Sequence, residues 1–281
     1  MRPFRRAAEP PSRRAVLAVL AVLAALAVLV PAPAAAQATR DQARLVFTVF
    51  GAYNGGGDLW QVGIQPVRFP NFDPDEVDSL AVARKLSSGF GLGVSATYYP
   101  GPVLGYIGEV ALLGVGYDDR CTLVSPPTNN TGEVVCDGIQ GSERGASMVL
   151  LSAGLVARAM SQGVVSPYVR AGLGLAVGSQ SSLRMFGPTD GAQGEIFLVY
   201  EDESNTRITP ALLLGAGITG QVTPGMQFRV EARDNVVGFA TVTGPTTTDG
   251  LVPPSKTEYK HVWTVSLGVD IVLERKRGRR Y

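Results

Sequence analysis

The chain reads as all-β, an eight-stranded antiparallel up-and-down transmembrane β-barrel. Three features of its 281 residues predict this. A basic and then apolar N-terminus marks it for export. Apolar residues then alternate with small or polar ones over segments of about ten residues, the length of a tilted membrane strand. The connections between these segments are short and long by turns, as in a barrel with tight turns on one side of a membrane and loops on the other. Composition agrees. Charged residues make up 17% of the chain, below the roughly 25% usual in soluble domains. The 34 glycines suit many tight turns, and a net charge of +1 argues against a general nucleic-acid binder.

The export segment has three parts. Arg2, Arg5, Arg6, Arg13 and Arg14 form a basic region, Ala15 to Val30 is unbroken apolar sequence, and Ala36-Gln37-Ala38 supplies small residues for cleavage between Ala38 and Thr39. An apolar run of about 16 residues is short of the roughly 20 that a membrane anchor needs. Ser12-Arg13-Arg14 also resembles the opening of a twin-arginine signal, but that route carries folded cargo, whereas a barrel of this kind crosses unfolded. The expected organisation is a cleaved signal peptide (1–38), the barrel (39–273) and a basic periplasmic tail (274–281).

Period-two alternation places strands at about 44–53, 88–99, 104–117, 147–160, 166–178, 209–222, 226–239 and 260–273. The last shows it best, with Trp263, Val265, Leu267, Val269, Ile271 and Leu273 on one face and Thr264, Ser266, Gly268 and Asp270 on the other. Pro100-Gly101-Pro102-Val103, Ser161 to Val165 and Thr223-Pro224-Gly225 are short connections; 54–87, 118–146, 179–208 and 240–259 are long. An even strand count returns both ends of the barrel to one side. Within the first long connection, Asp58 to Phe69 would add a hairpin, making ten strands the alternative. Asp73-Pro74-Asp75-Glu76 opens like a helix running to Leu86.

If the apolar faces meet lipid, the other faces line the lumen, and there the alternation places Glu109, Arg158, Arg170, Arg229, Glu231, Arg233 and Asp270. On the lipid face an arginine near the midplane would cost roughly 2–4 kcal/mol. Desolvated inside a narrow barrel, these groups must pair with one another or with water. Eight strands leave room for side chains rather than a wide channel, so a charged network filling the lumen is expected ahead of a polar pore.

Cys121 and Cys136 both fall in the second long connection, and an exported chain predicts a disulfide between them. It would order a surface loop more than secure the fold. A metal pair is not expected, since no histidine lies nearby and the spacing is not that of a zinc knuckle. His261 is the single histidine and the one residue on which a lipid- or peptide-cleaving activity would rest; no partner motif accompanies it. Asp73, Asp75, Glu76 and Asp78 lack the spacing of an EF-hand and read as a solvated loop. Asn129-Asn130-Thr131 matches a glycosylation sequon of little meaning in a bacterial setting. No cofactor is expected.

The segments GFGLGVSATYYPGPVLGYIGEVALLGVGYDD, VSPYVRAGLGLAVG, ALLLGAGITGQV, QFRVEARD and VWTVSLGVDIVL resemble the small bacterial outer-membrane β-barrel families, including OmpA-like membrane domains. The resemblance spans about 44–273 and implies an outer-membrane barrel; its glycine-aromatic motifs mark fold rather than function. The chain departs from these families where they close on an aromatic residue in the last strand, because here the strand reaches Leu273 and the terminal aromatic is Tyr281, beyond the basic tail. The resemblance implies contact with outer-membrane lipid and with the barrel-insertion machinery. The tail would meet anionic headgroups or cell-wall polymer by charge. The expectation is a monomeric, non-enzymatic barrel that serves envelope structure or surface interaction through its long loops. The alternatives are a narrow pore or small-molecule transporter, an envelope hydrolase, and a soluble lipocalin-like carrier with its faces reversed.

Overall fold

The computed structural model describes residues 44–68, 77–124, 131–140, 143–159, 164–178, 183–188, 196–201, 207–223, 225–248 and 250–274. The export segment and the basic stretch 275–281 lie outside these. In chain order the described elements are β1 (Arg44–Gly56), β2 (Asp58–Val67), β3 (Asp78–Ser87), β4 (Gly89–Tyr99), β5 (Leu104–Leu123), α1 (Thr131–Gln140), β6 (Glu143–Arg158), β7 (Val165–Gly178), β8 (Met185–Pro188), β9 (Ile196–Tyr200), β10 (Arg207–Thr223), β11 (Met226–Val242) and β12 (Ser255–Glu274).

Eight of them close a ring in the order β5, β4, β1, β12, β11, β10, β7, β6 and back to β5, every pairing antiparallel. The register fixes the barrel's dimensions. A path across the strands from Asp270 runs through Thr48, Ser95, Glu109, Ser152, Gly174, Ala211 and Val237, and returns to β12 at Lys260 rather than at residue 270. That stagger of ten residues over eight strands sets a tilt of roughly 40° and a backbone radius of about 8 Å. Side chains fill such an interior.

The outward face is apolar. Phe47, Val49, Leu92, Val94, Val110, Leu151, Leu173, Leu214, Phe228, Val265, Leu267 and Val269 are all exposed. Tyr53 stacks between Phe90 and Trp263 at ring distances of 5.4 and 5.6 Å, marking one edge of the belt. The paired Tyr98 and Tyr106 mark the other. From Trp263 to Leu273 a strand at this tilt rises about 25 Å, the height of a membrane belt. No helix among the described residues is long and apolar enough to cross a membrane; the crossing is made by strands. The belt and the alternation of short and long connections make this an outer-membrane β-barrel, with the long connections at its outer end.

The strands continue past the belt at that end. β1 runs on into β2 and β3 into β4, so that residues 44–67 and 78–99 form one long antiparallel hairpin. β5 pairs with β4 up to Leu112 and with β3 from Gly116 onward. The change of neighbour occurs at Gly114, where a Cβ would lie 1.8 Å from the Phe90 carbonyl oxygen; only glycine admits that approach. Register shifts in β2 between Asp58 and Trp60 and between Val62 and Gln65 bend it off the ring. Above Val262, β12 therefore pairs with β11 alone.

The hairpin expected within Asp58 to Phe69 does not form there: Asp58–Val67 is the single strand β2, and its partner is β3, so the two add strands to the sheet but not to the ring. The expected helix is corrected. Residues 73–76 lie outside the described residues, and 78–86 form a strand. Leu80, Val82, Arg84 and Leu86 point inward at period two, and pairing to β2 and β5 on both edges overrides the helix-start signal. Cys121 lies within β5 rather than in a loop, because β5 runs to Leu123. Cys136 is on α1, and a disulfide joins the two with Cα atoms 5.0 Å apart. It holds α1 against β5, with Val135 and Ile139 buried beside Leu183 and Met185.

Candidate functional site

Alternation along β5, β7, β11 and β12 turns Glu109, Arg170, Arg229, Glu231, Arg233 and Asp270 into the lumen. They meet in one layer, with no side chain more than 5% exposed. Arg170 Nη1 donates to Glu109 Oε2 at 2.7 Å and to Glu231 Oε1 at 3.3 Å. Arg233 Nη1 donates to Glu109 Oε1 and stands 3.9 Å from Glu231 Oε1. Arg229 Nη1 lies 3.9 Å from Glu231 Oε2, and its Nε is 3.0 Å from Asp270 Oδ1. Three guanidinium groups thus face three carboxylates, and Glu231 touches all three arginines.

Neutral side chains complete the layer. Tyr168 donates its hydroxyl to Glu231 Oε2 at 2.6 Å, and Thr48 donates to Asp270 Oδ1 at 2.8 Å. Arg229 packs over the Tyr168 ring at 5.1 Å and Arg233 over Phe50 at 5.7 Å. Toward the outer end, Asn235 donates to Thr264 and Thr264 to Asn54, at 2.9 and 2.8 Å. Buried charges need this density of partners, since each carries several kcal/mol of desolvation into the interior.

Apolar layers lie on both sides of the ionic one. Val46, Tyr99, Ile107, Val156 and Tyr168 cluster at the periplasmic end. A larger cluster starts at Phe50 and Ala52 and fills the outer half of the lumen with Leu113, Met148, Leu150, Leu213, Val237 and Phe239. A cavity lined by Val115, Met148, Thr209 and Phe239 measures about 30 Å³, room for about one water.

Arg158 has a different place from the one expected. It is the last residue of β6, where the strand has already reached the turn, so its guanidinium packs 4.0 Å over Tyr99 and donates to the Pro102 carbonyl at 2.7 Å. It caps the periplasmic end beneath the ionic layer.

The outer extension holds a second buried ion pair that the sequence reading did not single out. Arg84 of β3 donates to both carboxylate oxygens of Asp119 on β5, at 2.5 and 2.7 Å, and to the Arg184 carbonyl at 2.6 Å. Its guanidinium lies over Tyr117 at 4.8 Å and Trp60 at 5.6 Å. Above it, Gln65 ties three segments together: its Oε1 accepts from the Tyr200 hydroxyl at 2.8 Å and the Thr246 backbone N–H at 2.9 Å, and its Nε2 donates to Thr246 Oγ1 at 2.7 Å. Burial raises the pKa of the Tyr200 hydroxyl, which keeps it a donor. A period-two signal was present, since Arg84 shares one face with Leu80, Val82 and Leu86.

His261 projects outward, 74% exposed, just beyond the aromatic edge of the belt. Its Nδ1 lies 2.7 Å from Asp234 Oδ2. Among the described residues no group of three or more His, Cys, Asp or Glu side chains is arranged to hold a metal ion.

No protein-family model matches the chain, and no curated protein does. Solved structures of similar fold include the outer membrane protein OprG from Pseudomonas aeruginosa (TM-score 0.45, 11% identity, 84% of this chain and 98% of that one covered). Neisserial surface protein A is similar at a TM-score of 0.37 and 13% identity, with 82% and 96% covered. The attachment invasion locus protein of Yersinia pestis is similar at 0.34 and 16%, with 83% and 99% covered.

Proposed function

We propose that the chain is a non-enzymatic outer-membrane barrel that serves envelope structure or surface interaction through its outer extension, with a lumen closed to solutes. The supporting observation is the order of layers: six neutralised charges lie between an apolar cluster at the periplasmic end and a larger one beneath the outer end. A polar path would have to break both. The outer connections are themselves braced, by the disulfide, by the Arg84–Asp119 pair and by Gln65, as suits a surface presented in one shape. In this reading the N-terminal segment directs export, the insertion machinery places the barrel as a monomer in outer-membrane lipid, and the basic tail meets anionic lipid or cell-wall polymer.

The test is complementation of a deletion strain, read as outer-membrane permeability to bulky antibiotics and as surface adhesion. Wild type is expected to restore at least one of these, and a chain with 58–87 replaced by a short turn to restore neither. Equal restoration by both would overturn the role of the extension. His261→Ala is expected to behave as wild type. Loss of function in that variant alone would move the reading to an enzyme.

A further inference from the structure

We infer that the outer extension carries a binding recess for the sugar headgroup of an outer-leaflet glycolipid. The inference goes beyond the closed-barrel reading and rests on a different part of the molecule. The recess, about 250 Å³, is formed where β2, β3 and β5 run side by side above the belt. Register sets its residues in rows. Gln61, Ala83 and Arg120 lie across from one another, and so do Asp58 and Lys85. Ala81 and Thr122 form the next row outward.

Two properties distinguish this recess from ordinary polar surface. First, its polar groups are held apart. Asp58 and Lys85 are cross-strand neighbours, yet no ion pair joins them, and among the described residues the side chains of Asp58, Gln61, Lys85 and Thr122 have no hydrogen-bonding partner. Among the described residues Arg120 reaches only the exposed Asp118, at 3.7 Å. The lysines at the end of β12 are the contrast, because Lys256 and Lys260 each close on Glu258 at 2.8 Å. Second, the set is chemically mixed: a carboxylate that accepts, an ammonium and a guanidinium that donate, and an amide and a hydroxyl that do both. One carboxylate beside two cations offers acceptors as well as donors, which suits a ligand of many hydroxyls better than a bare anion or cation. Planar carboxylate, amide and guanidinium groups bind adjacent hydroxyls two at a time, and the small Ala81 and Ala83 leave the floor open for a flat ring.

Position selects the source of the sugar. Arg120 and Thr122 continue the face of β5 that carries Tyr106, Val110 and Leu112 to lipid. Lys85 pairs in register with Asp118, four residues past Gly114 at the aromatic edge, which puts it roughly 10 Å above the belt at this tilt. A headgroup whose acyl chains pack on the belt is thereby delivered to the recess at high effective concentration.

The test uses the full-length protein in lipid nanodiscs, with bound lipid counted by native mass spectrometry. The probes are a glycolipid bearing its inner sugars, the same lipid stripped of them, and the released oligosaccharide. The sugar-bearing lipid is expected to bind at least tenfold more tightly than the stripped lipid. That preference should vanish in Ala83→Trp, which fills the floor, and in Gln61→Ala with Arg120→Ala, while Lys256→Gln with Lys260→Gln keeps it. Unchanged heat-modifiable migration on gels shows that the variants fold. Equal binding by wild type and the recess variants, or an equal loss in the β12 lysine variant, would overturn the site. Full competition by the released oligosaccharide at the same concentration would overturn the lipid as its source.

Discussion

The barrel and its outer extension both bury arginine, by different means. In the barrel three arginines of β7 and β11 share three carboxylates of β5, β11 and β12, and partners such as Glu109 and Arg233 are 124 residues apart in the chain. In the extension Arg84 and Asp119 are cross-strand neighbours on β3 and β5, and the guanidinium also meets the Arg184 carbonyl and two rings. The first arrangement spans the lumen and can form only when the ring closes. The second braces one corner and leaves the ring alone. Damage to the network should therefore be felt by the whole barrel, and damage to the pair by the extension.

Glu231→Ala should have the largest effect, because it leaves two carboxylates to face three buried arginines and removes the acceptor of the Tyr168 hydroxyl. Removing one partner from a buried ion pair costs about 3–5 kcal/mol, read as a lower urea midpoint for loss of the heat-modifiable band. Asp119→Ala strands Arg84 at a similar local cost. Its signature should be proteolytic cleavage within 58–87 while the barrel band persists, and Arg84→Met combined with Asp119→Leu should recover most of the loss. A barrel midpoint that falls as far in Asp119→Ala as in Glu231→Ala would erase the distinction between the two regions.

Smaller effects sharpen the boundary. Replacing Cys121 and Cys136 with serine releases a closed segment of 15 residues, worth about 3 kcal/mol at most in the chain-entropy model. It should speed hydrogen exchange in α1 without moving the barrel midpoint. Thr48→Val removes one hydrogen bond to Asp270, worth about 1.5 kcal/mol or somewhat more for a charged acceptor. The smallest effect is at Glu258, where hydrogen bonds from Lys256 and Lys260 hold the carboxyl at about 2. Because that pKa is depressed, the contribution of the cluster is complete above the ordinary carboxylate range and is lost as pH falls through about 2. Carboxyl titration by NMR should show this, and Lys256→Gln with Lys260→Gln should return Glu258 to the ordinary range.

Alternation made the ring legible in the sequence, since lipid outside and packed side chains inside impose opposite chemistry on successive residues. The same signal brought Glu109, Arg170, Arg229, Glu231, Arg233 and Asp270 to one face. It misplaced Arg158 because parity tells which way a side chain points and not how far along the barrel it lies. β3 was hidden by the helix-start signal at residues 73–76, and with it went Arg84 and the pair it forms. The partner of His261 could not be read either: Asp234 comes beside it only through the register of β11 on β12. Local sequence carries a strand's faces, but the height of a residue and its cross-strand neighbour depend on a stagger that closure alone fixes.

The central claim is that the ionic layer and its apolar neighbours close the lumen. Planar-bilayer recording on the refolded full-length protein tests it most directly. Wild type should give no unitary steps at neutral pH over the voltages the bilayer withstands. Stable single-channel steps in wild type, abolished or rescaled by Glu231→Ala or Arg170→Ala, would contradict the account and make the charged layer the lining of a pore.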